Sequence, residues 1–484
     1  MLLIAIIGEK GSGKSTLLAR LAGWYRAEGR RVDGFWAEAG ERPVPGKGAD
    51  SYSLRWAATD QSSPLATRLP DGTPGVPYGF DPETLAATEA WAGALAQAPK
   101  PDLVVLDEFG RLEAEGLGHL ALWPQVAAAG PGLVAIGVRS EALAAISEQL
   151  GRPFDMTVSA DAPDAWEQLR AACLAHRDWT RVGLYGAGAG TLEMTLGAAL
   201  HGGMVPFRGL VMASAQASVM TWAAHGLGAR GRVVWVPFIA AGLKALSPAG
   251  NRLRPMLAIT IQGLLYAGLT RALGWNRASV LIASAAVGAW AAAQGLVLQY
   301  LFVGKELLRA YEAVVGWAER LGGVSPPAVA TAIAAWIGLW ALVAGITGAL
   351  AFGRTGSEHT DALDRIAAWR SRFGGAMPDL GARRAKPTWP QAVRAGLGDM
   401  ARPTFWLPLA IVVAVILAAG SPWEAAFWVV ARAATVGVLL FTAVRFLDVA
   451  GAVAALRRRG QWGPAVALAR ALEEIGGAGH RRSP

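Results

Sequence analysis

Apolar positions along this chain follow two patterns, and the change between them falls at residues 176–181. Before it, short apolar runs such as Leu2–Ile7, Leu103–Leu106 and Leu133–Val138 end at Gly, Asp or Arg. Runs of that kind predict buried strands of a mostly parallel sheet, with helices in the mixed stretches between them. From Val182 onward the apolar runs approach the ~20 residues that span hydrocarbon. Six such runs occur at 182–200, 205–224, 232–246, 255–273, 279–303 and 328–352, the third being short. Two more lie at 404–420 and 424–447. The pattern therefore predicts an α/β domain fused to an all-α polytopic membrane domain of about eight helices. The expected divisions are 1–175, a six-helix part at 182–352, a basic linker at 353–402, and two helices plus a basic amphipathic tail at 403–484. Between the fifth and sixth runs, residues Lys305 to Arg320 read as an amphipathic helix lying along the interface.

Composition sharpens this picture. Of 484 residues, 53% are hydrophobic and only 17% charged, and the excess is concentrated after Val182. The net charge of +9 would suit nucleic acid if it were spread over a soluble face. Instead nine Arg and Lys lie from Arg354 to Arg402, and Arg457–Arg459 follow the last run. Basic clusters flanking apolar spans mark cytoplasmic loops, so the expected partner is a lipid bilayer and not nucleic acid. Arg177 and Arg181 place the first span entering from inside, and an even count returns both clusters to that side. Lys244, Arg252, Arg254, Lys305, Arg309 and Arg320 fall outside on this count, against the rule, but the larger clusters outweigh them. The first apolar run is too short for a secretory signal, and a single cysteine, Cys173, excludes an intrachain disulfide. An integral protein of the inner or plasma membrane, with its first domain in the cytoplasm, is the expectation.

Candidate chemistry begins where the first strand ends. Gly8, Glu9, Lys10, Gly11, Ser12, Gly13, Lys14, Ser15 and Thr16 fit the spacing G-x-x-x-x-G-K-[ST] between a strand and a helix. Glycines let backbone N–H groups turn in around phosphate oxygens, and the following helix points its positive end at them. Lys14 suits the β- and γ-phosphates, and the Ser15 hydroxyl suits Mg²⁺. The second half of such a site is an acid at the end of a neighbouring strand. Asp107 and Glu108 follow Leu103–Leu106, the first as Mg²⁺ partner and the second as the base that orients water. The substrate is ATP or another nucleoside triphosphate. No Leu-Ser-Gly-Gly-Gln-like string lies between the loop and Asp107, which excludes an ordinary ABC-type ATPase.

The string Asp107-Glu108-Phe109-Gly110-Arg111-Leu112-Glu113 resembles the Asp-Glu-(Ile/Phe)-Gly-x-(Met/Leu)-Glu signature of the cancer-related nucleoside-triphosphatase family. Arg30 to Glu38 is similar to that family's second strand. The resemblance covers residues 1–175 and implies a kinase-like P-loop fold that hydrolyses ATP, GTP and other nucleotides. In that family a basic residue commonly follows the strand matching Gly132–Val138, so Arg139 either sits near the γ-phosphate or lies at the surface. Residues Glu41 to Asp81, rich in Pro, Gly and Ser, match the family only loosely.

In the membrane half, Gly190 to Leu200 and Val205 to Gly209 resemble the first two helices of the substrate-binding subunit of energy-coupling-factor transporters. That implies capture of a small molecule, with transporter subunits as partners. Glu193, Gln216 and Gln262 lie within expected spans and form a candidate ligand site, since polar groups are costly there. The glutamines equally suit gluing helices together, and Glu193 suits either a pocket or a paired position. Gly186 to Gly190 lacks the third glycine of a dinucleotide loop and reads as a helix-packing segment. The functional expectation is a membrane-tethered nucleoside triphosphatase coupled to uptake or sensing of a small molecule. The alternative is a nucleotide-dependent kinase or switch attached to an integral membrane enzyme or scaffold.

Overall fold

The computed structural model describes residues 1–41, 49–70, 78–203, 206–246, 253–323, 325–353 and 388–476. Most of the expected basic linker, parts of the Glu41–Asp81 segment and the end of the tail lie outside the described residues. The chain divides into two units, Met1–His176 and Arg177–Pro484.

The first unit is an α/β domain. Its strands are β1 (Leu2–Ile7), β2 (Val32–Ala39), β3 (Ser51–Trp56), β4 (Ser62–Arg68), β5 (Tyr78–Phe80), β6 (Leu103–Phe109), β7 (Leu133–Val138) and β8 (Met156–Ser159). They form one sheet in the order β5-β4-β3-β2-β6-β7-β1-β8. Strands β2, β6, β7, β1 and β8 run parallel, and β3 to β5 extend the sheet as an antiparallel meander. Helices α1 (Lys14–Ala27), α2 (Pro82–Leu95), α3 (Arg111–Ala114), α4 (Trp123–Ala129) and α5 (Leu143–Gln149) connect the strands. The parallel strands are apolar throughout because they are covered on both faces: Leu3, Ala5, Val104, Leu106, Val134 and Ile136 share one buried core. Local chemistry sets the element ends. Asp81 accepts a hydrogen bond from the Thr84 N–H at 3.0 Å and Pro82 follows it, so α2 begins there. Gly34, at φ 98°, lets β2 meet β6 where a side chain would strike the Val105 carbonyl.

The second unit is helical. Helix α6 (Ala165–Gly202) contains the division between the units. It is followed by α7 (Arg208–Gly226), α8 (Trp235–Leu246), α9 (Leu253–Ala272), α10 (Arg277–Val303), α11 (Glu306–Gly322) and α12 (Pro326–Gly353). Then come α13 (Trp389–Met400), α14 (Pro403–Ala418), α15 (Trp423–Arg445), α16 (Val449–Arg458) and α17 (Trp462–Gly476). Helix α11 coincides with the stretch expected to lie along an interface, and it leaves Leu308, Tyr311 and Val314 exposed.

Helices occupy all eight predicted spans, but the count of crossings changes. Among the described residues three helices are long and apolar enough to cross a membrane: α10, α12 and α15. A fourth candidate is the pair α13 and α14, bent by 56° at its break. Helix α8 has 12 residues, about 18 Å at 1.5 Å per residue, short of the ~30 Å hydrocarbon core. Helices α6, α7 and α9 are long enough, but Glu193, Gln216, Gln262 and several Gly, Ser and Thr dilute their apolar runs. Much of what is apolar in them is turned onto neighbouring helices, as Tyr185, Ala213, Met220 and Tyr266 show.

Small residues permit close packing here. A Cβ on Gly186 would sit 2.6 Å from Ile239, and one on Gly190 would sit 2.9 Å from Leu243. Gly186 to Gly190 is therefore a packing segment within continuous α6.

Candidate functional site

The glycine-rich loop sits at the carboxyl end of β1, where open α/β sheets present their crevice. Gly13 adopts φ 93° and caps α1, a left-handed conformation that side chains disfavour. Lys14 folds over the loop, its Nζ donating to the carbonyls of Gly8 at 2.8 Å and Glu9 at 2.7 Å. The Ser12 hydroxyl is buried without a hydrogen-bond partner among the described residues.

Strand β7 lies between β1 and β6, so an acid on β6 must pass β7 to reach the loop. Gly137 of β7 has no side chain, and the Asp107 carboxylate occupies the space a Cβ would take, beside Leu18 of α1. From there the Asp107 carboxylate comes near enough to Ser15 for the hydroxyl to stabilise its ionised form. Asp107 is 2% exposed, and its Oδ2 accepts from the Ala37 N–H at 3.2 Å. Burial raises its carboxyl above the ordinary carboxylate value, opposed by the Ser15 hydroxyl, the Glu108 and Ala37 amides, and the Lys14 charge.

Glu108 is placed by an irregularity in the ladder. Leu106 pairs Ile136 and Phe109 pairs Val138, so Asp107 and Glu108 together stand opposite Gly137. Glu108 takes φ 64°, uncommon for a residue with a side chain. Its side chain opens to solvent, yet the protein crowding its other sides costs it hydration. That loss, with the Asp107 charge, raises its carboxyl to about 7, opposed by Arg139 and Lys14. Arg139 is half-buried, its Nε lying 3.2 Å from where a Cβ on Gly110 would be. Glu113 is buried and accepts from the N–H groups of Gly110 at 2.8 Å and His119 at 3.0 Å, which ties down the segment after β6. Burial alone lowers the His119 imidazole to about 4.

Two tyrosines that sequence reasoning passed over lie beside the loop. Lys10 Nζ stands 5.6 Å from the Tyr52 ring centre and 5.4 Å from that of Tyr78, and the two rings meet edge to face at 5.3 Å. Alternation of Tyr52, Leu54 and Trp56 on one side of β3 is the only signal that marked this face.

In the helical unit, Glu193 and Gln216 line one cavity of about 20 Å³, room for about one water. Gln262 is buried but does not line it. Gln216 Nε2 donates to the Ile259 carbonyl at 2.9 Å, a bond between α7 and α9. Lys244 Nζ donates to the backbone carbonyl of Glu193 at 3.0 Å.

Among the described residues no cluster of three or more His, Cys, Asp or Glu could hold a metal ion. Mg²⁺ in nucleotide sites takes one or two protein ligands and completes its shell with phosphate oxygens and water. The Ser15 hydroxyl and the buried Asp107 carboxylate fit that smaller donor set.

Residues 3–167 match a family described as "Protein of unknown function (DUF2478)". No curated protein matches the chain. Among solved structures, the solution structure of a human cancer-related nucleoside triphosphatase is similar at 19% identity, over 36% of this chain and 95% of that one, with a TM-score of 0.28.

Proposed function

We propose that the Met1–His176 unit is a nucleoside triphosphatase, and the observation that carries this is the buried Asp107 carboxylate turned into the gap at Gly137, towards the loop that Lys14 folds over, with Glu108 beside it. Lys14 exchanges its loop carbonyls for β- and γ-phosphate oxygens, and the loop N–H groups cradle the rest. Ser15 and Asp107 would hold Mg²⁺, which would neutralise charge on those phosphates. Glu108 orients a water and accepts its proton as the water oxygen attacks the γ-phosphorus and the bond to the β-phosphate bridge breaks. Arg139, which already faces Glu108, lies within the same charged group.

The helical unit anchors this domain in a membrane through α10, α12 and α15, with α6 to α9 and the bent pair completing the bundle. The domain then faces the cytoplasm, and the bundle takes up or senses a small molecule, with Glu193 and Gln216 in one small cavity and Gln262 buried apart from it. Hydrolysis by the full-length protein in nanodiscs, beside Glu108→Gln, tests the assignment. Loss of at least about 10²-fold in turnover with nucleotide binding retained is expected for a water-positioning residue. Equal turnover in both proteins removes Glu108 from its role.

The cation–aromatic group of Lys10, Tyr52 and Tyr78 beside the loop favours a second reading, a kinase whose acceptor rests there. A phosphorylated metabolite in place of free phosphate among the products decides for it.

A further inference from the structure

A larger cavity, about 160 Å³, lies in the helical unit among α9, α10, α13, α14 and α15. Its walls are apolar along Leu257, Leu298, Phe302, Phe405, Leu409 and Val412, while Arg254, Gln299, Asp399 and Arg402 supply its polar lining. A cavity of about 150 Å³ takes a benzene-sized molecule, so this one receives roughly six carbons of a chain.

The charges do not balance within it. Asp399 is 9% exposed and is engaged by Arg445, whose Nη2 and Nε reach its Oδ2 at 2.6 and 3.0 Å. Arg402 reaches the other oxygen of Asp399 at only 3.5 Å. Arg254 has no carboxylate partner among the described residues, and its Nη2 lies 2.9 Å from where a Cβ on Gly295 would be. Arg445 and Arg402 thus share one carboxylate, and Arg254 stands at the same apolar chamber without one among the described residues. Both Arg254 and Arg402 are exposed at the mouth of the chamber, free to meet an anion, and the planar fork of arginine matches phosphate and carboxylate oxygens. The chamber is also where the α13–α14 pair bends by 56°, with Pro408 of α14 in its wall.

We propose that this cavity is a binding site for an anionic amphiphile, a phosphate or carboxylate head on Arg254 and Arg402 with an alkyl chain along Leu257, Phe302, Phe405 and Leu409. A small inorganic anion leaves the apolar walls unused, and a neutral hydrocarbon leaves the arginines unmet. The proposal concerns the helical unit alone and does not depend on nucleotide hydrolysis.

Calorimetric titration of dodecyl phosphate into the full chain in phosphatidylcholine nanodiscs, with empty nanodiscs subtracted, tests it. Saturable binding is expected for dodecyl phosphate, and none for inorganic phosphate or dodecanol at the same concentrations. Arg254→Gln, at an exposed position, weakens binding at least about tenfold, and the double variant Arg254→Gln/Arg402→Gln abolishes saturation. Including phosphatidylglycerol in the nanodiscs separates two sources of the same chemistry. Competition with dodecyl phosphate identifies a bilayer lipid, and undiminished binding identifies a free single-chain amphiphile. Dodecanol binding as tightly as dodecyl phosphate overturns the proposal, as does wild-type affinity in the double variant. The wild-type comparison stands even where a variant fails to fold.

Discussion

The Asp107 carboxylate fills the space that any side chain at residue 137 would need, and Gly137 is bare for that reason. Strand β7 can then separate β1 from β6 without parting Asp107 from Ser15. Gly137→Ala forces the carboxylate aside. A shift of about 1 Å in a positioned group costs about 10²-fold in rate, and overpacking costs about 1–3 kcal/mol in stability. Turnover with Mg²⁺ and the thermal midpoint, measured on the same preparation, separate the two losses. A variant with full turnover contradicts the arrangement.

Glu108 holds a backbone conformation that suits glycine, at φ 64°. The left-handed region costs a side-chain-bearing residue about 1–2 kcal/mol, and added chain entropy of glycine returns about 0.5–1 kcal/mol of that. Glu108→Gly is therefore expected to leave the first unit as stable or slightly more stable while abolishing hydrolysis. Denaturant unfolding beside turnover measures both; a marked loss of stability would show that the conformation carries no strain.

The carboxyl of Glu108, raised to about 7, sets a pH dependence. As base it must be ionised, so hydrolysis rises with pH through about 7, and Glu108→Gln flattens that limb. The stability effect has the opposite slope. Between about 4.5 and 7 the folded protein holds a proton that the unfolded chain has released, so Glu108 reduces stability as pH rises through that window. Glu108→Gln accordingly gains stability relative to wild type above pH 7 and loses that advantage below about 4.5.

His119, lowered to about 4, acts in the other direction. From about 6.5 downward the unfolded chain takes up a proton that the folded imidazole refuses, so stability falls from pH 6.5 towards 4. The ring lies 4.9 Å from that of Phe35, and His119→Phe keeps this packing without the titration. Unfolding midpoints of the two proteins should diverge only below pH 6.5. Parallel curves would remove His119 as the cause.

Legibility followed range along the chain. The loop and its flanking strand and helix are readable because glycine spacing, a buried run and a helix start all act within a few residues. The apolar runs located helices for the same reason. Crossing a membrane depends on apolar character sustained over a whole helix, and α7 and α9 carry Gln216 and Gln262 inside theirs, the first bonded to the Ile259 carbonyl. The ladder irregularity at Asp107 and Glu108 leaves no local mark, since it arises from pairing with β7.

By itself the sequence determined a strand, a phosphate-type loop and a helix at 2–27, two acids at the end of a second strand, and a change to membrane-like runs after 181. Each rests on neighbours in the chain. Tertiary structure alone decided that Asp107 fills the gap at Gly137, that Lys10 stands over Tyr52 and Tyr78, and that Arg254 and Arg402 line one apolar chamber. Those partners are distant in sequence, and only the order of strands and the packing of helices bring them within bonding distance or into one chamber.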